Sequence, residues 1–125
     1  MILLLDTHVL LWWLADDPML SQTVRTAISD GKNLVFISAA TAWEIAIKSV
    51  LGKLDIPSNL EAALTANRFQ SLPITIPHAL AVADLPHHHN DPFDQLLIAQ
   101  AKVEGLTLVT RDKQIEKYDV PILQA

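Results

Sequence analysis

Short apolar runs alternate with amphipathic stretches along the chain, the pattern of an α/β domain built on a central parallel sheet. Strands are predicted at Ile2 to Leu5, Leu34 to Ile37, Leu72 to Ile74, Thr107 to Val109 and a short terminal one at Pro121 to Leu123. These runs lack strict polar alternation, as expected when helices cover both faces of the sheet. Helix signals fill the gaps. Ser21 opens a segment that Gly31 closes, and Thr41 with Glu44 has capping-box spacing ahead of Ile45, Ile47 and Val50, with Gly52 as the stop. Ser58 and Glu61 repeat that spacing, and Pro77 suits the first turn of a short helix to Asp84. Asp91 and Pro92 read as N-cap and first helical residue of a helix ended by Gly105, after a loop from Leu85 to Asn90.

The length of 125 residues suits one domain spanning 1–125, and 50% hydrophobic against 18% charged residues excludes intrinsic disorder. Nine Lys and Arg against 14 Asp and Glu leave a net charge of −5, which argues against a broad basic patch for nucleic acid. A polyanionic substrate would need cations to mediate contact. The absence of cysteine excludes a disulfide framework, a thiolate metal site and a Cys nucleophile, and suits a reducing cytoplasm. The first residues, MILLLDTHVLLWWLADD, are apolar but lack a basic start, and Asp6 interrupts the run, so they read as mature protein. No apolar stretch approaches the roughly 18 residues that cross a bilayer, and a soluble protein without a membrane partner is expected.

Ligands of open parallel sheets bind outside the carboxyl ends of the strands, and the acids fall there. Asp6 follows the first strand directly, Glu44 lies one turn into the helix after the second, and Asp112 closes LTLVTRD. Asp91 and Asp94 begin a helix whose Phe93, Leu96, Leu97 and Ala101 would pack it on the sheet. Four or five carboxylates at one edge oppose joint ionisation, so a cation should sit among them. All-oxygen ligation without Cys favours Mg²⁺ or Mn²⁺, an ion that can activate water and stabilise charge on phosphoryl oxygens, as in many nucleases. Four of these acids also have a plainer role: Glu44 as a capping-box partner, Asp91 as an N-cap, Asp94 as a helix-dipole partner and Asp112 as a cap for Lys113 to Lys117, whereas Asp6, flanked by Leu5 and Val9 at a strand end, has no evident structural partner.

The segments LLLDTHVLLWWL, SAATAWEIAIKSVLGKL, HHHNDPFDQLLIAQA and LTLVTRD resemble the PIN-domain ribonucleases, specifically the toxin subunits of VapC-like toxin-antitoxin pairs, over Ile2 to about Leu123. The resemblance implies a three-layer α/β/α fold, Mg²⁺- or Mn²⁺-dependent cleavage of RNA, frequent homodimerisation and inhibition by a cognate antitoxin. The family's acids fall on Asp6, Glu44, Asp94 and Asp112. Asp91 is an additional carboxylate that could be a ligand, an indirect partner or a cap.

Other residues have less defined roles. Thr110 is placed to orient a carboxylate or a water, Lys48 pairs with Glu44 at helical spacing or meets RNA phosphate, and Arg111 beside Asp112 has the same two readings. His87, His88 and His89 could contact RNA or a transition metal, but a solvated loop is the plainer expectation. His8 falls within the first helix. Trp12 and Trp13, in a segment apolar nearly all round, suggest a partner interface or burial under Leu60 to Phe69. Two other functions compete: a haloacid-dehalogenase-like aspartyl phosphotransferase, which wants a second Asp where His8 stands, and a non-catalytic receiver-like binding module.

Overall fold

In the computed structural model, which describes residues 1–54 and 59–125, Ile2–Leu5 forms β1 at the centre of a five-stranded sheet ordered β3-β2-β1-β4-β5. Its neighbours are β2 (Leu34–Ser38) and β4 (Thr107–Thr110), with β3 (Gln70–Leu72) and β5 (Ile122–Gln124) at the edges. Every pairing is parallel. Side chains alternate across a strand, so Leu3 and Leu5 join Val9, Leu10, Val35, Ile45 and Val109 on one face. Leu4 joins Leu97, Ile98, Leu108, Ile115 and Tyr118 on the other. All three leucines are fully buried, because a central strand covered on both sides has no solvent face.

The helices are α1 (Thr7–Leu14), α2 (Gln22–Ser29), α3 (Ala39–Val50), α4 (Leu60–Ala66), α5 (Ile76–Ala81) and α6 (Pro92–Glu104). With them the sheet forms the three-layer α/β/α arrangement that the resemblance implies, with helices covering both faces as the apolar pattern predicts. Single 3-10 turns follow at Val82–Asp84 and Ile115–Lys117. Ser21 and Asp91 cap α2 and α6 as their spacing predicts, and Gly105 ends α6 in the left-handed conformation that glycine adopts without a Cβ clash. None of the helices among the described residues is long and apolar enough to cross a membrane.

Several boundaries differ from the sequence reading. The third strand is Gln70–Leu72, two residues earlier than Leu72 to Ile74, because Pro73 has no N–H to continue the ladder. Helix α3 starts before Thr41: Ser38 is its N-cap, accepting from the Ala40 N–H at 2.9 Å. The Thr41–Glu44 capping box therefore does not form, and Glu44 is released for other contacts. Helix α2 ends at Ser29, two residues before Gly31, with Asp30 as its C-cap. Ser58, expected to cap the fourth helix, lies outside the described residues. Asn59 takes that role by accepting from the Ala62 N–H at 3.1 Å.

The order of strands matters for the site. From β1 the chain passes to β2 and β3 on one side, then crosses to β4 and β5 on the other. The carboxyl ends of β1 and β4 thus flank the switch point, where the loops and helix starts diverge and leave a crevice. The Asp6 N–H donates to the Val109 carbonyl at 3.1 Å, extending the β1–β4 ladder to the first acid.

Candidate active site

Asp6 caps α1 and is buried at the end of β1. Its Oδ1 accepts from the Val9 N–H at 2.9 Å and its Oδ2 from the Thr110 hydroxyl at 2.6 Å, so both oxygens have fixed donors. Burial pushes its carboxyl above the ordinary range, and the Thr110 and Val9 hydrogen bonds resist that rise. The hydroxyl of Thr110 also accepts from the Asp112 N–H at 3.1 Å, tying the two strand-end acids through one side chain.

Glu44 reaches the same edge from α3. It is buried, its Oε1 accepts from the Thr7 hydroxyl at 2.6 Å, and its Oε2 accepts from the Lys48 ammonium at 2.5 Å. The hydrogen bond to Glu44 raises the Lys48 pKa, and the charges of Asp91 and Asp94 add to the effect. Lys48 therefore stands at the rim of the acids with a third of its side chain exposed. A second link fixes the two helices that carry acids: the Ser38 hydroxyl donates to the fully buried Gln100 Oε1 at 2.6 Å, joining the start of α3 to α6.

Asp94 shows the electrostatic state of the cluster most directly. Its carboxyl is pushed up to about 7, first by burial and then by the charges of Asp91 and Asp6, with Glu44 adding and His89 opposing. The carboxylates thus act on one another as a group. Asp91 spends one oxygen on the cap of α6, accepting from the Phe93 N–H at 2.8 Å and the Asp94 N–H at 3.2 Å.

His89 departs from the expectation of a solvated triplet. Only 16% of its side chain is exposed, and its Nε2 lies 2.9 Å from Asp112 Oδ2 and 3.1 Å from Asp94 Oδ2. The Asp91 N–H donates to Nδ1 at 3.1 Å, which assigns the proton to Nε2 and makes the imidazole a donor to both carboxylates. Burial works against the charge of Asp112, yet the His89 hydrogen bond and the Gln114 N–H hold its carboxyl below the usual range. One ligand atom each from His89, Asp94 and Asp112 lie within 4.8 Å of one another, close enough to share a metal ion. The signal in sequence was position: His89 stands two residues before the cap of the helix that carries Asp94. His87 and His88 are exposed, and the His88 ring lies edge-on to Tyr118 at 5.1 Å.

The remaining residues singled out in sequence lie outside this cluster. Arg111 donates to the Ala125 carbonyl at 2.6 Å and to the Met19 carbonyl, and its guanidinium lies 4.5 Å from the centroid of Trp12. His8 is exposed on α1, with its ring 6.0 Å from Trp12. Trp13 donates from Nε1 to Asn67 at 2.9 Å and packs beside Phe69. Both tryptophans are half-buried and find partners within the chain, so the two-sided apolar segment does not by itself require an external cover. Thr7, Ser38 and Gln100, which position the acids, were not distinguishable from ordinary helix and strand residues. Thr41, one turn before Glu44, has a buried hydroxyl with no hydrogen-bond partner among the described residues.

Comparison with known proteins agrees with this fold. The chain is 31% identical over 121 residues to Ribonuclease VapC22 of Mycobacterium tuberculosis, covering 94% of this chain and 92% of that protein. Its fold is similar to VapBC2 of Rickettsia felis bound to a promoter DNA fragment, with a TM-score of 0.74, 16% identity and coverage of 100% and 99%. It is likewise similar to DNA-bound VapBC of Salmonella typhimurium, with a TM-score of 0.71, 17% identity and coverage of 99% and 98%. The PIN domain family model matches residues 3–121, and this chain, with its acids gathered at the switch point of a parallel sheet, belongs to the PIN domain family.

Proposed function

We propose that this chain is a metal-dependent endoribonuclease, the toxin component of a toxin-antitoxin pair, hydrolysing RNA phosphodiester bonds. The observation that carries this reading is the gathering of acids from four segments at one edge of the sheet: Asp6 and Asp112 are tied through Thr110, Asp94 and Asp112 lie close enough to share an ion, and burial and the charges of Asp91, Asp6 and Glu44 push the Asp94 carboxyl up. A cluster in that state is completed by positive charge. Its donors are carboxylate oxygens, which fits a hard divalent ion, and we take Mg²⁺ or Mn²⁺ as that ion. Asp6, Glu44, Asp94 and Asp112 would hold it. When bound, such an ion neutralises the cluster, polarises a phosphate oxygen and makes water a better nucleophile at neutral pH.

The chain's own groups prepare that site. Thr110 and the Val9 N–H orient the two oxygens of Asp6, while Thr7 and Lys48 orient those of Glu44. Asp91 caps α6 and so sets the direction of Asp94, and His89 keeps its Nε2 proton between Asp94 and Asp112. Lys48 is the basic residue placed to meet a phosphate at the rim. Arg111 instead braces the end of the chain against α1. The relative named a ribonuclease supports RNA as substrate, and the fold's likeness to the VapBC structures supports an antitoxin partner. A homodimer is the expected assembly.

The competing readings have no support in the structure. An aspartyl phosphotransferase wants an Asp where His8 is exposed beside Trp12. A receiver-like module does not need the PIN family's gathered acids. The test is incubation of purified protein with total RNA, with Mg²⁺, with Mn²⁺ and in chelator, followed by mapping of the cut ends. Cleavage should require the ion and leave 5′-phosphate and 3′-hydroxyl ends. Cleavage by metal-free protein, or 2′,3′-cyclic phosphate ends, would overturn the mechanism.

A further inference from the structure

Trp43 and Phe93 stand immediately before Glu44 and Asp94 in sequence, one on α3 and one on α6. Adjacent helical residues lie about 100° apart around the axis, so each ring is set beside the acid that follows it rather than among the acids. The two rings nevertheless meet. Their centroids are 5.1 Å apart with planes at 73°, an edge-to-face pair bridging the two acid-bearing helices. Trp43 is 58% exposed although Glu44 and Ile45 beside it are buried.

Among the exposed large apolar side chains of the described residues, Trp43 is the only aromatic one. With more than half of its surface exposed, the indole has area to offer a flat ligand, and it stands one residue from Glu44 as Phe93 does from Asp94. The chain has a net charge of −5 and gathers its acids at this edge, so it cannot draw RNA in through a wide cationic surface. Stacking on an aromatic face needs no protein charge and accepts any base. Unpaired bases, unlike those inside an A-form helix, have faces free for such contact.

We infer that Trp43, held in place by Phe93, is a subsite that stacks on an unpaired RNA base next to the scissile phosphate. The inference rests on the ribonuclease reading and adds to it a residue that contacts the substrate outside the acids. Trp43 is a binding residue in this scheme and takes no part in the bond cleavage. Phe93 is its positioning partner.

The test measures cleavage of a labelled mixed-sequence single-stranded RNA of about 12 nucleotides and of a set in which each base in turn is replaced by an abasic residue. For the native chain, one position near the cut should be sensitive, its abasic form raising KM about tenfold with kcat changed far less. Trp43→Leu should raise KM for intact RNA by about the same factor and should no longer respond at that position. Trp43→Phe should keep most of the affinity. Thermal unfolding and sedimentation accompany the kinetics. An unchanged KM in Trp43→Leu refutes the subsite while leaving the nuclease intact, as does a loss that tracks a change of oligomeric state, which would make Trp43 a protein contact. If Trp43→Leu fails to fold, the abasic series on the native chain decides, and uniform insensitivity refutes the subsite. A native chain inactive on all RNA with Mg²⁺ or Mn²⁺ refutes the ribonuclease reading and the subsite with it.

Discussion

Replacing Asp94 by Asn should abolish RNA cleavage while making the metal-free protein more stable. In the fold Asp94 holds its proton to about 7, against an ordinary value of 3.8. The folded chain therefore binds more protons than the unfolded chain between these values, and its stability falls as pH rises from about 4 through 7. At about 1.4 kcal/mol for each tenfold change in proton affinity, the ionised carboxylate costs about 4 kcal/mol above pH 7. The side chain is 18% exposed, and solvent screening reduces this to about 3 kcal/mol. Asn forgoes the charge in the contact with His89, a loss of about 1 kcal/mol. The net gain is about 2 kcal/mol, a rise in Tm of roughly 6–10 °C for a chain of this size. Asp6, also raised by burial, acts in the same direction on the native chain, whereas Asp112 stays ionised through this window because His89 and the Gln114 N–H hold its carboxyl low.

The assay is thermal unfolding of the native chain and Asp94→Asn at pH 8 and pH 5, in chelator and in excess Mn²⁺. In chelator at pH 8 the variant should melt higher, and at pH 5, where Asp94 is protonated in the native fold, the gap should close. In Mn²⁺ at 100 times its Kd the native chain should gain about 2.7 kcal/mol and the variant far less, reversing the order. A variant that melts below the native chain in chelator at pH 8, or a gap unchanged at pH 5, would refute the electrostatic account of the site.

Substitutions at three further positions separate the roles of neighbouring groups. Asp91→Asn should keep the α6 cap, since Asn caps about as well as Asp, and retain substantial activity; removing its charge should also move the acid limb of the pH–rate profile downward by relieving Asp94, and an inactive, well-folded variant would place Asp91 among the ligands. Thr110→Val leaves Asp6 Oδ2 without its donor and should cost about 1–3 kcal/mol together with most activity, while Thr110→Ser should restore both in unfolding and cleavage assays. Arg111→Ala should lower stability by about 2 kcal/mol through lost contacts to Ala125, Met19 and Trp12, with KM for RNA unchanged, so a raised KM at unchanged stability would return Arg111 to the substrate.

The sequence alone determined the layers and most of the elements. Near-continuous apolar runs such as Ile2–Leu5 specify strands covered on both faces, and local signals such as Ser21, Asp91 with Pro92, and Gly105 act within a turn of where they stand. The positions of Asp6, Glu44, Asp94 and Asp112 at strand ends and helix starts were legible for the same reason. Tertiary structure decided what those local rules cannot reach. Ser38, not Thr41, caps α3, and its hydroxyl also reaches Gln100 on α6, a contact spanning 62 positions that no window of neighbouring residues reveals. Crossover of the chain from β3 to β4 brings Thr110 onto Asp6 and His89 between Asp94 and Asp112. The same packing buries Asp94 among other carboxylates and raises its pKa. Burial and charge proximity depend on distances in space, which spacing along the chain leaves open until the sheet order is set.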